Sequence, residues 1–138
     1  MSFDLERFVS AQDGVYTGVL RELRAGRKDS HWIWFIFPQI AGLGRSWVSQ
    51  RYSILSLDEA RGYLAHPVLG ARLRECAGIV LVSKARSADA ILGSLDAMKL
   101  RSSMTLFQRA TPDEPVFREV LDRYFGGVPD AATDALLR

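Results

Sequence analysis

The stretch His31-Trp-Ile-Trp-Phe-Ile-Phe-Pro-Gln39 is apolar on every face, whether wound as a helix or drawn out as a strand. Periodicity does not separate a buried helix from a buried strand over so short a run. Either way its rings belong at the centre of the fold, because taking Trp, Phe and Ile surface out of water is the main favourable term in folding. The residues that follow, Ile40-Ala-Gly-Leu-Gly-Arg-Ser46, read as a loop on their glycine content.

Helical patterns surround this segment. A first helix is expected over Phe3 to Ala11 behind Ser2 as N-cap, burying Leu5, Phe8 and Val9. A second, Gly14 to Ala25, sets Tyr16, Val19, Leu20 and Leu23 on one arc and stops at Gly26. Ser56-Leu-Asp-Glu59 has the form of a capping box, which accounts for Glu59. Pro67 interrupts the pattern, and a fresh helix carries Leu69, Leu73, Cys76, Ala77 and Val80 on one face. Ser87 is expected to cap Ala88 to Leu92, and Ser94 to cap Leu95 to Arg109. Thr111-Pro-Asp-Glu114 reads as a second capping box ahead of the stripe Val116, Phe117, Val120, Leu121 and Tyr124. Pairs Glu114–Arg118 and Glu119–Arg123 are expected on the opposite face, Gly126-Gly127 as the stop, and Asp130 as the cap of a short last helix. The fold class is therefore all-α: one helical domain over residues 1–138, about six to eight helices around a Trp/Phe-rich central segment.

Composition narrows the function. At 138 residues, 48% hydrophobic and 25% charged, the chain matches a single globular domain rather than a disordered or fibrous one. The run from Trp32 to Pro38 is too short to span a bilayer, and the acidic start lacks the basic head of a signal peptide. One cysteine, Cys76, forms no internal disulfide, so a cytoplasmic location is expected. Fifteen of the 18 basic residues are Arg, which suits carboxylate or phosphate recognition but also follows from a GC-rich coding sequence. No concentrated basic stripe occurs, which disfavours generic nucleic-acid binding. Two widely separated histidines and one cysteine give no metal spacing, and no cofactor is implied.

Chemistry is best sought on the helix behind Ser94. At 100° per residue, Leu95, Leu100, Leu106 and Phe107 form an apolar arc with Met104 at its edge. Asp96, Lys99 and Ser103 fall inside that arc, while Arg101, Thr105 and Arg109 lie opposite. Polar groups in a buried stripe need partners. Asp96 and Lys99, three apart, form either a structural ion pair or part of a pocket lining. His31 is either an acid or base near neutral pH or a histidine satisfied by backbone carbonyls. Trp32 and Trp34 are core, or offer a face to a purine-like ring, with Gln39 reading a base or amide edge. Gly42-Leu-Gly44-Arg45-Ser46 is an ordinary turn or a loose phosphate cradle, with Ser102 and Ser103, and Arg51 and Tyr52, as further ligand contacts.

Several blocks carry a wider likeness: Phe3-Asp-Leu-x-Arg7-Phe, His31-Trp-x-Trp-Phe-x-Phe-Pro-Gln39 with Gly42-Leu-Gly44, Tyr63-Leu-x-His-Pro-x-Leu69, and Asp96-x-x-Lys99-Leu-x-Ser-Ser-Met-Thr-Leu-Phe107. In these the chain resembles bacterial domain-of-unknown-function family 1810, some of whose members carry the label calpastatin. That resemblance spans nearly the whole chain and implies a predominantly α-helical single domain, with no activity attached. The block Asp96 to Phe107 is also similar to a late motif of the NADAR superfamily, linked to hydrolysis of N-glycosidic bonds in ADP-ribose and nucleotide-like compounds. The catalytic residues of that superfamily do not map one by one, and none is carried over.

Two functions compete on these residues. One is a hydrolase of an N-glycosidic bond in a nucleotide or ADP-ribose-like compound. Asp96 would then orient water or stabilise the cationic sugar, Lys99 and His31 would assist proton transfer, and Arg45 or Arg51 would hold phosphate. The other is a non-catalytic module that binds a nucleotide-like metabolite or a protein partner, with the Asp96–Lys99 pair fixing helix register.

Overall fold

The structure is a computed structural model that describes residues 3–138. The Ser2 cap lies outside the described residues. The first four helices are α1 (Glu6–Gln12), α2 (Tyr16–Arg24), α3 (Ile33–Ile36) and α4 (Trp47–Arg51). After them come α5 (Leu57–Ala65), α6 (Leu69–Val82), α7 (Ala88–Leu92), α8 (Ser94–Ala110), α9 (Pro115–Phe125) and α10 (Ala131–Leu136). The protein is all-α, with six helices of seven residues or more and four shorter ones among the described residues. Two of the short ones, α7 and α10, match the expected caps at Ser87 and Asp130, whereas α3 and α4, of four and five residues, carry too little of a period to be recognised.

The longest helix, α8, is the axis of the packing: α5, α7, α9 and α10 lie against it, and α3 touches it from the side. A file of rings links these layers, Phe8 to Tyr63 at 5.1 Å, Tyr63 to Phe107 at 5.4 Å and Phe107 to Phe117 at 5.9 Å between centroids. The central aromatic stretch divides in two. Ile33–Ile36 winds a single turn, and then Pro38 forces an extended path on which Ile40 bridges Ile54. Trp32, Ile33, Ile36 and Phe37 are buried in the core as expected, whereas Trp34 and Phe35 are only half-buried. No helix among the described residues is long and apolar enough to cross a membrane.

Caps at Ser56, Ser87 and Asp130 form as their sequence patterns predict, each side-chain oxygen accepting a backbone N–H at 3.0–3.1 Å. Two others differ. Ser94 is the first residue of α8, not its cap, because Gly93 alone makes the corner between α7 and α8 at φ +85°, a conformation open to glycine. At Thr111 to Glu114 the chain makes a backbone turn, and α9 starts at Pro115 instead of Pro112. The Glu114 carboxylate is drawn away to the Arg74 guanidinium in two bonds of 2.6 and 3.0 Å. Arg118 accordingly pairs with Asp122, and Arg123 donates to carbonyls at the end of α6 in place of Glu119. Leu95 is 75% exposed, outside the apolar arc assigned to it, while Thr105 is buried and receives the Asp130 N–H at 2.9 Å. In the first turns of α8 only one side is covered, with Ala97 and Leu100 buried and Leu95 and Met98 exposed, whereas Ser102 to Phe107 are all buried.

The Glu59 carboxylate reaches past the Ser56 cap instead of closing the capping box on it. It is buried, accepts the Leu55 N–H at 2.9 Å and faces the Arg7 guanidinium at 3.5 Å. Arg7 also donates to the carbonyls of Arg51 and Ser53 at 2.8 Å each, which ties α1 to the segment behind α4. Removing one partner leaves a buried charge uncompensated. Arg7→Ala and Glu59→Ala are each expected to destabilise by about 3–5 kcal/mol in denaturant unfolding. The double variant should lose clearly less than the sum, and strict additivity would show that the two charges act independently.

Candidate functional site

A carboxylate on α2 organises the approach to the site. Glu22 accepts the backbone N–H groups of Asp29 at 2.7 Å and Ser30 at 2.8 Å, the Ser30 hydroxyl at 2.8 Å and the Trp32 indole N–H at 3.0 Å. Burial works to raise its pKa, but these four donors outweigh it and hold the carboxyl at about 2. The turn they fix carries Lys28, whose own N–H donates to the Ile91 carbonyl at 2.7 Å.

From that turn the Lys28 side chain, only 7% exposed, reaches Asp96 on the first turn of α8 at 2.8 Å and stands 5.2 Å from the Trp32 ring centroid. The other Asp96 oxygen is 3.6 Å from Lys99 Nζ, which in turn stands over Trp34 at 4.9 Å. Two indoles, two ammonium groups and one carboxylate thus alternate in a row. The expected Asp96–Lys99 pair exists, but Lys28 is the closer partner.

Lys99 opens onto a cavity of about 290 Å³ lined by Trp34, Gln39, Leu43, Gly44, Arg45, Ser46, Ser49 and Lys99. Five candidates from the sequence, Trp34, Gln39, Arg45, Ser46 and Lys99, meet there, with Asp96 behind Lys99. Ser46 caps α4 by accepting the Ser49 N–H at 3.1 Å, so that amide is not available to a ligand. Gly44 is needed at its place, since a Cβ there would collide with the Ser49 side chain.

Other candidates lie elsewhere. Trp32 is 2% exposed, with its N–H committed to Glu22 and its ring beneath Lys28, and so cannot stack a ligand base. His31 is exposed and lies outside the cavity lining. Tyr52 packs on Phe8 and Phe35, and Arg51 lines a separate cavity of about 480 Å³ over Arg7 and Glu59. Ser102 bonds Asp130 at 3.1 Å and the Met98 carbonyl at 3.2 Å, a link between α8 and the cap of α10. Ser103 is fully buried, and its hydroxyl has no partner among the described residues. Burial pushes the Cys76 thiol up to about 12, which disfavours the thiolate at neutral pH.

Lys28 and Ser49 escaped the sequence reading. Lys28 sits just past a helix stop, where no period marks it, and acquires meaning only once its loop folds onto α8. A larger cavity of about 780 Å³ lies between the ends of α2 and α6, but it holds none of the candidate groups. Convergence of polar side chains, not size, makes the cavity beside Lys99 the candidate functional site.

Fold and site together define an all-helical domain with a small cationic, aromatic-walled cavity beside its longest helix. The chain belongs to the family described as protein of unknown function (DUF1810), whose model matches residues 2–137. It is similar to the crystal structure of the conserved hypothetical protein Rv1873 from Mycobacterium tuberculosis, with 54% identity and a TM-score of 0.96 over 98% of this chain and 96% of that one. No curated protein matches it.

The Glu22 cradle has a pH signature. Its folded pKa of about 2 lies below the ordinary value of 4.5, so its contribution is present above that value and is lost as pH falls toward 2. Glu22→Gln is expected to lower stability by about 1–2 kcal/mol at neutral pH, a figure discounted for solvent screening. The difference from wild type should shrink steadily in thermal melts between pH 4.5 and 2. A difference constant across that window would contradict this role.

Proposed function

We propose that the protein binds a nucleotide-like anion in the cavity beside Lys99. One observation carries this reading: Lys99 and Arg45 share a cavity with the half-buried Trp34 and the Gln39 amide, and no carboxylate lines it. Two cations suit phosphate, an amide reads a base or sugar edge, and an indole offers apolar area. The ligand's anion meets the ammonium first, because Lys99 already stands over the Trp34 ring. Long nucleic acids fit less well, since many arginines are already engaged: Arg72, Arg74 and Arg109 each face a carboxylate. The free, buried Cys76 accords with a cytoplasmic setting.

Hydrolysis of an N-glycosidic bond is the second reading, favoured by Asp96 next to Lys99 and 16% exposed. Binding is preferred because that carboxylate is held by two lysines and is not among the cavity-lining residues. Titration with AMP, followed by thermal shift and by chromatography for released adenine, separates the two. The expected result is a shift without adenine release, weakened roughly tenfold or more in Lys99→Met and Arg45→Ala. Release abolished by Asp96→Asn would establish the hydrolase instead, and no shift with any nucleotide would reject both.

A further inference from the structure

The charges around the cavity go further and indicate which anion it takes. Asp96 has one negative charge and two ammonium neighbours, and it is not shared equally: Lys28 is at 2.8 Å and Lys99 at 3.6 Å. Lys28 is nearly enclosed, whereas Lys99 is the more open of the two and lines the cavity. Lys28 therefore takes up most of the carboxylate charge, and the Lys99 charge remains available. Arg45 adds a second cation with no ion pair of its own among the described residues. The cavity thus presents close to two uncompensated positive charges.

From this balance we propose that the site selects a dianionic phosphomonoester over a singly charged phosphodiester, with Lys28 as the positioning residue that sets the preference. The inference rests on the nucleotide-binding reading and deepens it. A terminal phosphate carries close to two charges at neutral pH, whereas a diester or each bridging phosphate of a dinucleotide carries one. At about 290 Å³ the cavity lies at the small end of ligand sites, which suits a mononucleotide or sugar phosphate better than a dinucleotide.

Calorimetric titration with AMP, 3′,5′-cyclic AMP and adenosine, well above the second phosphate ionisation near pH ~6, tests this. All three share adenine and ribose and differ in the phosphate, which is doubly charged in AMP, singly charged and closed onto the 3′ oxygen in cyclic AMP, and absent in adenosine. AMP is expected to bind about five- to tenfold more tightly than its cyclic form, the ratio that one extra charge gives at roughly 4 Å in near-aqueous surroundings. Lys28→Met should collapse that ratio by letting Asp96 draw Lys99 away. Adding Asp96→Asn to Lys28→Met should restore it, a rescue that general loss of packing around Trp32 would not allow. Asp96→Asn alone should keep the ratio if Lys28→Met proves too unstable to titrate. Equal binding of AMP and cyclic AMP would overturn the charge selection and leave nucleotide binding standing. No binding of AMP, cyclic AMP, adenosine or inorganic phosphate would overturn both.

Discussion

One carboxylate, Asp96, lies between two ammonium groups at 2.8 and 3.6 Å, and the site depends on that arrangement. A charge so little exposed is costly unless paired, so Asp96 requires a cation close by. Lys28 meets the need from a loop whose backbone is also pinned to the end of α7, through the Lys28 N–H and the Ile91 carbonyl. That loop is held at its other side by the four donors converging on Glu22. The two carboxylates together fix the path from Lys28 to Trp32, and with it the entry of the aromatic segment into the core.

The aromatic segment then passes this order on. Trp32 is locked between Glu22 and Lys28, α3 makes one turn, and the extended stretch after Pro38 bridges Ile54. The wall bearing Gln39, Arg45, Ser46 and Ser49 is thereby brought opposite Lys99. At the far end, Arg7 holds the carbonyls of Arg51 and Ser53 and ties down the segment after α4. Structural ion pairs and the cavity thus share one frame, built from neighbouring residues on the same elements.

What could be read from the sequence follows from the range of each interaction. Caps at Ser56, Ser87 and Asp130 and the buried faces of α6 and α9 are local, and their residue spacing reveals them. Ser94 is not the cap its residue type suggests, because a single glycine, Gly93, ends α7 and starts α8. Of the candidate site, the spacing placed Asp96 beside Lys99, and residue chemistry singled out Gln39 and Arg45. Lys28, 68 positions from Asp96, left no local trace, nor did the Arg7–Glu59 pair. Burial of Trp32 could not be told from partial exposure of Trp34, because over so few residues neither helical nor extended spacing distinguishes them.

The most direct measurement is a crystal structure of the protein grown with AMP. The account predicts phosphate oxygens within about 2.7–3.2 Å of Lys99 Nζ and the Arg45 guanidinium, with Lys28 still on Asp96. AMP seated over Arg7 and Glu59, or in the trough between α2 and α6, with Lys99 untouched would contradict it.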